Sequence, residues 1–234
     1  MGSCNSGIKG ILSNLRLGIG KRGTPKSDEY AMNNANPNYS NPNAEAEGWH
    51  HNCQSCAMTL EAMMRGYDVE AVPHKHGDPF YEANGKAHSW RDCFKGKQSI
   101  QRIGEDEVNE ALAQGDIAKA RRLAKNVGAI RVIEGHTVAV NTKTAIENQM
   151  NSWGDGSRAT LSVKWKGGGG HLINVINKGG KPIAIDAQAH KIVDLGEMLS
   201  RAKTNRTSLT RVDNLKFTRN VRYLTKGKNN EKGS

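Results

Sequence analysis

Three short segments of the chain carry residue types suited to nucleophilic chemistry. Cys53 and Cys56 stand three residues apart in a run of helix-forming residues. His171 follows four consecutive glycines and opens an apolar stretch, and a second apolar stretch, after a Lys-Gly-Gly-Lys turn, ends in Asp186. A histidine held by a carboxylate can act as a base, and a thiol is a nucleophile that such a base activates. The pattern therefore predicts a Cys-His-Asp arrangement like that of papain-like enzymes.

The two apolar stretches are expected to form a β-hairpin that carries the base and its carboxylate. If residues 177–180 form the loop, His171 lies directly opposite Asp186. If only Gly179 and Gly180 form it, the pairing becomes diagonal. Side chains two residues apart share one face of a strand. Both registers therefore keep the histidine and the aspartate on the same face.

The candidate nucleophile lies at the predicted start of a helix. Asn52 is a typical N-cap residue, strong helix formers follow, and Gly66 is suited to the helix end. Cys53 then falls on the first turn, where unpaired N–H groups and the helix dipole favour a thiolate. We expect the Cys53 N–H and Asn52 to help bind an oxyanion. Cys56, one turn further on, is the alternative nucleophile and is more typical of a buried core residue.

Four segments of the sequence resemble the papain-fold toxin family. The segments are ANPNY (35–39), NCQSCAMTLEAMMRGYDVEA (52–71), ATLSVKWKGGGGHLINV (159–175) and IDAQ (185–188). That family is described as glutamine deamidases of bacterial polymorphic toxins and of phage or mobile-element proteins. The likeness runs from about residue 35 to the VDNLKF segment near residue 217.

The resemblance implies a catalytic triad of Cys53, His171 and Asp186, accompanied by Gln188 and needing no cofactor. We expect Gln188 to orient His171 or a substrate carboxamide. Ala187 departs from the family pattern, which usually reads Asp-Pro-Gln here. Papain-like proteases also carry an oxyanion-binding glutamine shortly before the nucleophile. The corresponding stretch, AEAEGWHHN, has none, which leaves the second oxyanion donor unidentified.

The resemblance also implies a function, namely conversion of a target-protein glutamine to glutamate through a thioester. A cysteine protease or a transglutaminase would share the first half of that reaction, so both are alternatives. A further alternative is a non-enzymatic phage structural or nucleic-acid-binding protein that retains the fold. We expect Gly169, Gly170 and Trp165 to line the substrate cleft, because glycines leave room beside His171.

The two cysteines also form a C-x2-C motif, which makes a structural zinc site an alternative. Its other candidate ligands are His50, His51, His74, His76 and Cys93. No second C-x2-C and no histidine pair at zinc-finger spacing is present, so we predict no metal. His136 is a weaker alternative base, because no acid of matching register follows it.

The order of the predicted elements indicates an α+β fold. Helices come first and a meandering sheet follows, with strands over residues 159–166, 171–177 and 182–187. A papain-like layout would pack the nucleophile helix against the antiparallel sheet that carries the histidine and aspartate. We predict a flexible polar segment over residues 1–47, one catalytic domain over 48–225 and a basic disordered tail over 226–234.

The charge is +11, and residues 201–234 hold ten basic side chains against two acidic ones. This excess predicts an acidic partner, which is a protein substrate, nucleic acid or a membrane surface. An immunity protein is a further candidate partner. We expect no transmembrane segment and no secretory signal peptide. The few cysteines suggest a reducing cytoplasm as the place of action, reached by delivery into a target cell. The opening MGSCNS fits a myristoylation pattern with Cys4 nearby, and equally a cloning scar.

Overall fold

The computed structural model describes residues 17–75, 89–95, 111–126, 131–133, 137–139, 143–203 and 207–228. The chain divides into two compact units. The first comprises residues 1–96, 186–191 and 215–234, and the second comprises residues 97–185 and 192–214. The α+β class predicted from the order of elements is confirmed, since both units combine helices with antiparallel strands.

The helices are α1 (Asp28–Asn34), α2 (Ala44–Glu47), α3 (Cys53–Met64), α4 (Ile117–Asn126), α5 (Lys143–Trp153) and α6 (Leu195–Ser200). The strands are β1 (Val69–Ala71), β2 (Arg131–Ile133), β3 (Thr137–Ala139), β4 (Arg158–Lys164), β5 (Gly170–Lys178), β6 (Lys181–Asp186), β7 (Lys191–Val193), β8 (Ser208–Arg211) and β9 (Thr225–Gly227). Short 3-10 helices span Trp90–Cys93 and Arg219–Tyr223.

In the first unit, the predicted nucleophile helix is confirmed as α3. It begins at Cys53, and Gly66 follows its end with a φ of 95°. A side chain at Gly66 would overlap the carbonyl of Gly23. Gly23 lies this close because its N–H donates a hydrogen bond to the Gly66 oxygen at 2.7 Å. Only glycine meets both requirements easily. Helix α3 is buried along most of its length and packs against α1 and β1, which pairs with β9.

The segment predicted as a polar linker is ordered where the structure describes it. Ser27 caps the start of α1, because its side chain accepts a hydrogen bond from the Tyr30 N–H at 3.1 Å. Ala31 and Ala35 are fully buried. The linker interpretation was therefore wrong for residues 28–47. The side chains buried in this segment are alanines and an asparagine, whereas a core is usually recognised in a sequence by large apolar residues.

The second unit is built around a seven-stranded sheet in the order β2-β3-β8-β4-β5-β6-β7. In the β5–β6 hairpin, Lys178 pairs with Lys181, so Gly179 and Gly180 alone form the turn. Both glycines have positive φ angles, 59° and 80°, as a tight two-residue hairpin turn requires. The diagonal register is thus the one observed.

Helices α5 and α6 supply the apolar cover of this sheet. Helix α5 ends at Trp153, and the side chain of Asp194 caps α6 by accepting from the Glu197 N–H at 2.8 Å. The core they share with the strands contains Ile146, Met150, Leu161, Ile173, Val175, Leu195, Met198 and Leu209. This core fixes the central strand β5, of which residues 172–177 are all buried.

The remaining predictions fall partly outside the described residues. The predicted basic tail was expected to begin at residue 226, but residues 226 and 227 belong to β9, which pairs with β1. His76, His136 and the MGSCNS segment with Cys4 lie outside the described residues. Of the helices that the structure describes, none has the length and apolar character needed to cross a bilayer.

Candidate active site

The two cysteines of α3 occupy different environments. Cys53, the first residue of the helix, is partly exposed, whereas Cys56 is 1% exposed. The Cys56 thiol donates a hydrogen bond to Asn52 Oδ1 at 3.2 Å. Burial raises the pKa of Cys56 well above its ordinary value, and negative charge at Cys53 and at Asp186 raises it further. Cys56 therefore stays a neutral donor, and Cys53 is the thiol that a reagent can reach.

The N-terminus of α3 leaves backbone donors available beside Cys53. The helix has no side-chain cap, and no described residue accepts a hydrogen bond from the N–H of Cys53, Gln54 or Ser55. Such unpaired N–H groups and the helix dipole favour negative charge. The Gln54 side chain is fixed by the Trp90 N–H, which donates to Gln54 Oε1 at 2.8 Å.

Asn52 stands at the N-cap position, but its side chain does not cap the helix. Its Nδ2 donates to Val72 O at 3.1 Å and to Asn36 Oδ1 at 3.3 Å. Its Oδ1 accepts from the Cys56 thiol and from Gln188 Nε2 at 3.3 Å. Both amide hydrogens are therefore used, and the expectation that Asn52 helps to bind an oxyanion stays a prediction. The side chain connects three chain segments.

A tight turn after β6 holds Asp186 within the first unit. Asp186 is 7% exposed, and its Oδ1 accepts from the N–H groups of Gln188 at 3.0 Å and Ala189 at 3.2 Å. Backbone N–H bonds of this kind stabilise a carboxylate. Ala187, the departure from the family pattern, donates neither of these two bonds. The two hydrogen bonds that hold this turn are thus accepted by the Asp186 side chain and do not involve residue 187.

Asn36 is a site residue that sequence reasoning missed. It is fully buried, and its Nδ2 donates to Gln188 O at 3.0 Å and to Trp49 O at 3.1 Å. Its Oδ1 accepts from Asn52, and its backbone oxygen lies 2.9 Å from His190 Nε2. One amide therefore joins the turn after Asp186 to the segment before α3. The only sequence signal was its place in the ANPNY segment.

The predicted base, His171, lies on β5 in the second unit and is half-buried. It pairs with Val163 of β4, and its ring stacks at 6.2 Å, centroid to centroid, on the ring of Trp165. Gly170 allows the close approach, because an added Cβ would lie 2.6 Å from the Val163 oxygen. A Cβ at Gly169 would meet nothing within 4 Å, although its φ of 70° favours glycine. The close backbone approach thus requires glycine at 170, and the expectation that Gly169, Gly170 and Trp165 line a substrate cleft stays a prediction.

The candidate zinc ligands make other contacts where the structure describes them. His50 and His51 both bind the carboxylate of Glu45, at 3.0 Å and 2.6 Å, and lower its pKa. Cys93 is buried, which raises the pKa of its thiol. Within the described ranges, no three histidine, cysteine or acidic side chains are grouped so that they could hold a metal ion.

Comparison with known families gives one match. A sequence model of the family described as papain fold toxin 1, glutamine deamidase, matches residues 51–191. This range is more than half of the 234-residue chain and contains Cys53, His171, Asp186 and Gln188. No curated protein and no solved structure matches the chain.

Proposed function

Because the chain belongs to the papain fold toxin 1 family of glutamine deamidases and has its α+β fold, we propose that it deamidates a target-protein glutamine with Cys53 as nucleophile. One observation carries this assignment of the nucleophile. Cys53 is partly exposed at the start of a helix that no side chain caps. The neighbouring Cys56 is buried, and its thiol donates a hydrogen bond to Asn52. His171 and Asp186 complete the proposed triad.

In the first half of the proposed reaction, the Cys53 sulfur attacks the side-chain carbonyl carbon of the glutamine. His171 takes the thiol proton and passes it to the departing ammonia, so that the C–N bond breaks as the thioester forms. Asp186 holds the imidazole in the required tautomer and stabilises its charged form. The unpaired N–H groups at the start of α3 hold the developing oxyanion.

In the second half, water replaces ammonia. His171 removes a proton from the water, which attacks the thioester and releases the target as glutamate, while Cys53 recovers its proton. The net change is one carboxamide and one water giving one carboxylate and one ammonium. The new negative charge in a functional surface of the target would account for toxicity in a recipient cytoplasm, against which an immunity protein could protect the producer.

Gln188 has a supporting part in this proposal rather than a direct one. Its side-chain Nε2 lies 3.3 Å from Asn52 Oδ1 and 3.5 Å from Trp49 O. Its backbone N–H binds Asp186. We propose that Gln188 keeps the Asp186 carboxylate at a fixed position relative to the start of α3.

Intact-mass analysis of proteins exposed to the enzyme tests the proposed activity. Purified wild type, Cys53→Ala and Cys56→Ala proteins are each incubated with a cell lysate, and modified proteins are mapped. Deamidation adds about one dalton at a glutamine, proteolysis gives backbone fragments, and transglutamination gives cross-links or amine adducts. We expect the one-dalton gain with wild type and Cys56→Ala and none with Cys53→Ala. Fragments or cross-links in its place would overturn the deamidase assignment.

A further inference from the structure

Four basic side chains line two adjacent segments of the second unit. The end of β4 runs antiparallel to the residues that follow α6, and Trp165 pairs with Ala202. The Lys203 N–H donates to Lys164 O at 2.7 Å, and the Lys166 N–H donates to Arg201 O at 3.0 Å. Lys164 therefore lies directly opposite Lys203, and Lys166 lies opposite Arg201. We call these four residues the basic edge.

Among the residues that the structure describes, the basic edge has no counter-charge. All four side chains are exposed, and no described carboxylate forms an ion pair with any of them. The Lys166 ammonium donates to the Ser200 carbonyl at 2.8 Å. Like charges directly opposite each other on neighbouring strands destabilise a sheet. The pairing of Lys164 with Lys203 therefore disfavours folding, so a contribution to stability does not explain why two lysines stand opposite each other.

The basic edge adjoins the proposed catalytic histidine. Trp165 lies between them, with its ring 6.2 Å from the His171 ring and 5.7 Å from the Arg201 guanidinium. The Lys164 side chain runs beside Gly170, where an added Cβ would lie 3.0 Å from Lys164 Cδ. Because neighbouring residues of a strand face opposite sides, Lys164 lies on the face away from Trp165 and His171. Arg201 is the member of the basic edge whose charge reaches the Trp165 ring beside His171.

We propose that the basic edge binds an acidic segment of the target protein, so that the glutamine modified lies among aspartates or glutamates. This rests on the proposed deamidase function and names its substrate class. Exposed charge of one sign attracts a partner of the opposite sign and fixes its register. A protein is favoured over nucleic acid because Trp165, the aromatic ring that the described residues place at this edge, already contacts His171 and Arg201. Single-strand binders offer rings on which bases stack.

Peptide binding to the Cys53→Ala protein tests this proposal without requiring turnover. The probe is a fluorescent peptide with one glutamine flanked by glutamates, and the comparison is the same peptide with serine flanks. We expect the acidic peptide to bind more tightly, with an affinity that falls as salt is raised. If neither peptide binds, or both bind equally, the proposal is wrong, whereas loss of the one-dalton product in the lysate assay concerns the deamidase function alone.

A pair of charge reversals separates recognition from folding. Lys164→Glu places a glutamate opposite Lys203, and the control Lys178→Glu places one opposite Lys181 at the other end of β5. Opposite charges across strands are favourable, so neither variant is expected to unfold at a lower temperature than the parent protein. We expect Lys164→Glu to weaken peptide binding about tenfold and Lys178→Glu to change it less than about twofold. Equal effects of both variants would overturn the assignment of the edge.

The same assay distinguishes nucleic acid from protein. A single-stranded DNA oligonucleotide is titrated against the Cys53→Ala protein and its Lys164→Glu form. We expect weaker binding than that of the acidic peptide at equal salt. If the DNA binds more tightly than the peptide and loses affinity with Lys164→Glu, the edge is a nucleic-acid surface and the proposal is wrong.

Discussion

The thiol of Cys56 donates a hydrogen bond of 3.2 Å to Asn52 Oδ1, one helical turn earlier. That oxygen also accepts from Gln188 Nε2 at 3.3 Å. The bond makes Cys56 a structural donor to the group of side chains of Asn36, Asn52 and Gln188, which we call the amide cluster. The two cysteines of the C-x2-C motif therefore have different environments. This difference supports the proposal that the partly exposed Cys53 is the nucleophile.

Replacing the two cysteines should therefore separate activity from stability. We expect Cys53→Ala to abolish target modification with little change in the free energy of unfolding, because Cys53 is partly exposed. Cys56→Ala should keep measurable activity but lower stability by about 1 kcal/mol, because it removes a buried group and leaves Asn52 Oδ1 with one donor fewer. Urea unfolding and the mass assay measure the two effects. Full activity in Cys53→Ala would contradict the assignment.

The raised pKa of Cys56 predicts a loss of stability in alkali. A thiol whose pKa is higher in the folded protein contributes stability that is complete below its unfolded pKa, about 8.5–9, and that is lost as pH rises above it. The stability advantage of wild type over Cys56→Ala should therefore shrink between about pH 8 and pH 10. Cys93 and Tyr67, whose pKa values are also raised, remain in both proteins and cancel in the difference. A constant advantage across this range would show that Cys56 does not titrate as described.

Asn36 should be needed for both stability and activity. Asn36→Ala removes the donor to Gln188 O and Trp49 O and the acceptor for Asn52. Leaving these buried groups unsatisfied should cost about 2–3 kcal/mol. Because the turn after Asp186 then loses a support, we expect kcat to fall more than KM changes, as for a positioning residue.

Asn34→Ala is a matched control for Asn36→Ala. Asn34 also makes a side-chain bond to a backbone oxygen, that of Tyr30 at 2.8 Å, but it makes none with the amide cluster. It should lose little stability and keep kcat. If both variants behave alike, Asn36 has only a local structural role.

Gly170→Ala should disturb the base without touching the thiol. Its Cβ would lie 2.6 Å from the Val163 oxygen, so the start of β5 must move by a fraction of an ångström. We expect a loss of about 1–3 kcal/mol and lower activity, because the next residue is His171. Gly167→Ala is the control, since a Cβ there meets nothing within 4 Å. In Gly167→Ala, both the activity in the mass assay and the rate of Cys53 alkylation at neutral pH should stay unchanged. Equal losses of activity in the two variants would contradict this account.

The parts of the fold that followed from sequence depend on local signals. The α3 helix was predictable because helix formers lie between Asn52 and Gly66. The hairpin was predictable as well, although its register was left open between two forms until the pairing of Lys178 with Lys181 decided it. In that case a two-glycine turn with positive φ angles set the choice.

The parts that did not follow depend on contacts between distant residues. The side chain of Asn36 donates a hydrogen bond to the backbone oxygen of Gln188, 152 positions along the chain. No local sequence pattern predicts such a partner. The same holds for Asn52, whose type fits an N-cap but whose side chain binds Val72, Asn36 and Cys56 instead. Capping is one of several ways in which a buried asparagine can satisfy its amide.

The central claim, that Cys53 carries the acyl group of the glutamine, can be tested by trapping the thioester. The enzyme is mixed with a modified target found in the lysate assay, quenched with acid and digested, and the adduct is located by peptide mapping. We predict an adduct on Cys53 in wild type and in Cys56→Ala, and none in Cys53→Ala. An adduct on Cys56, or continued conversion of glutamine to glutamate by Cys53→Ala, would contradict it.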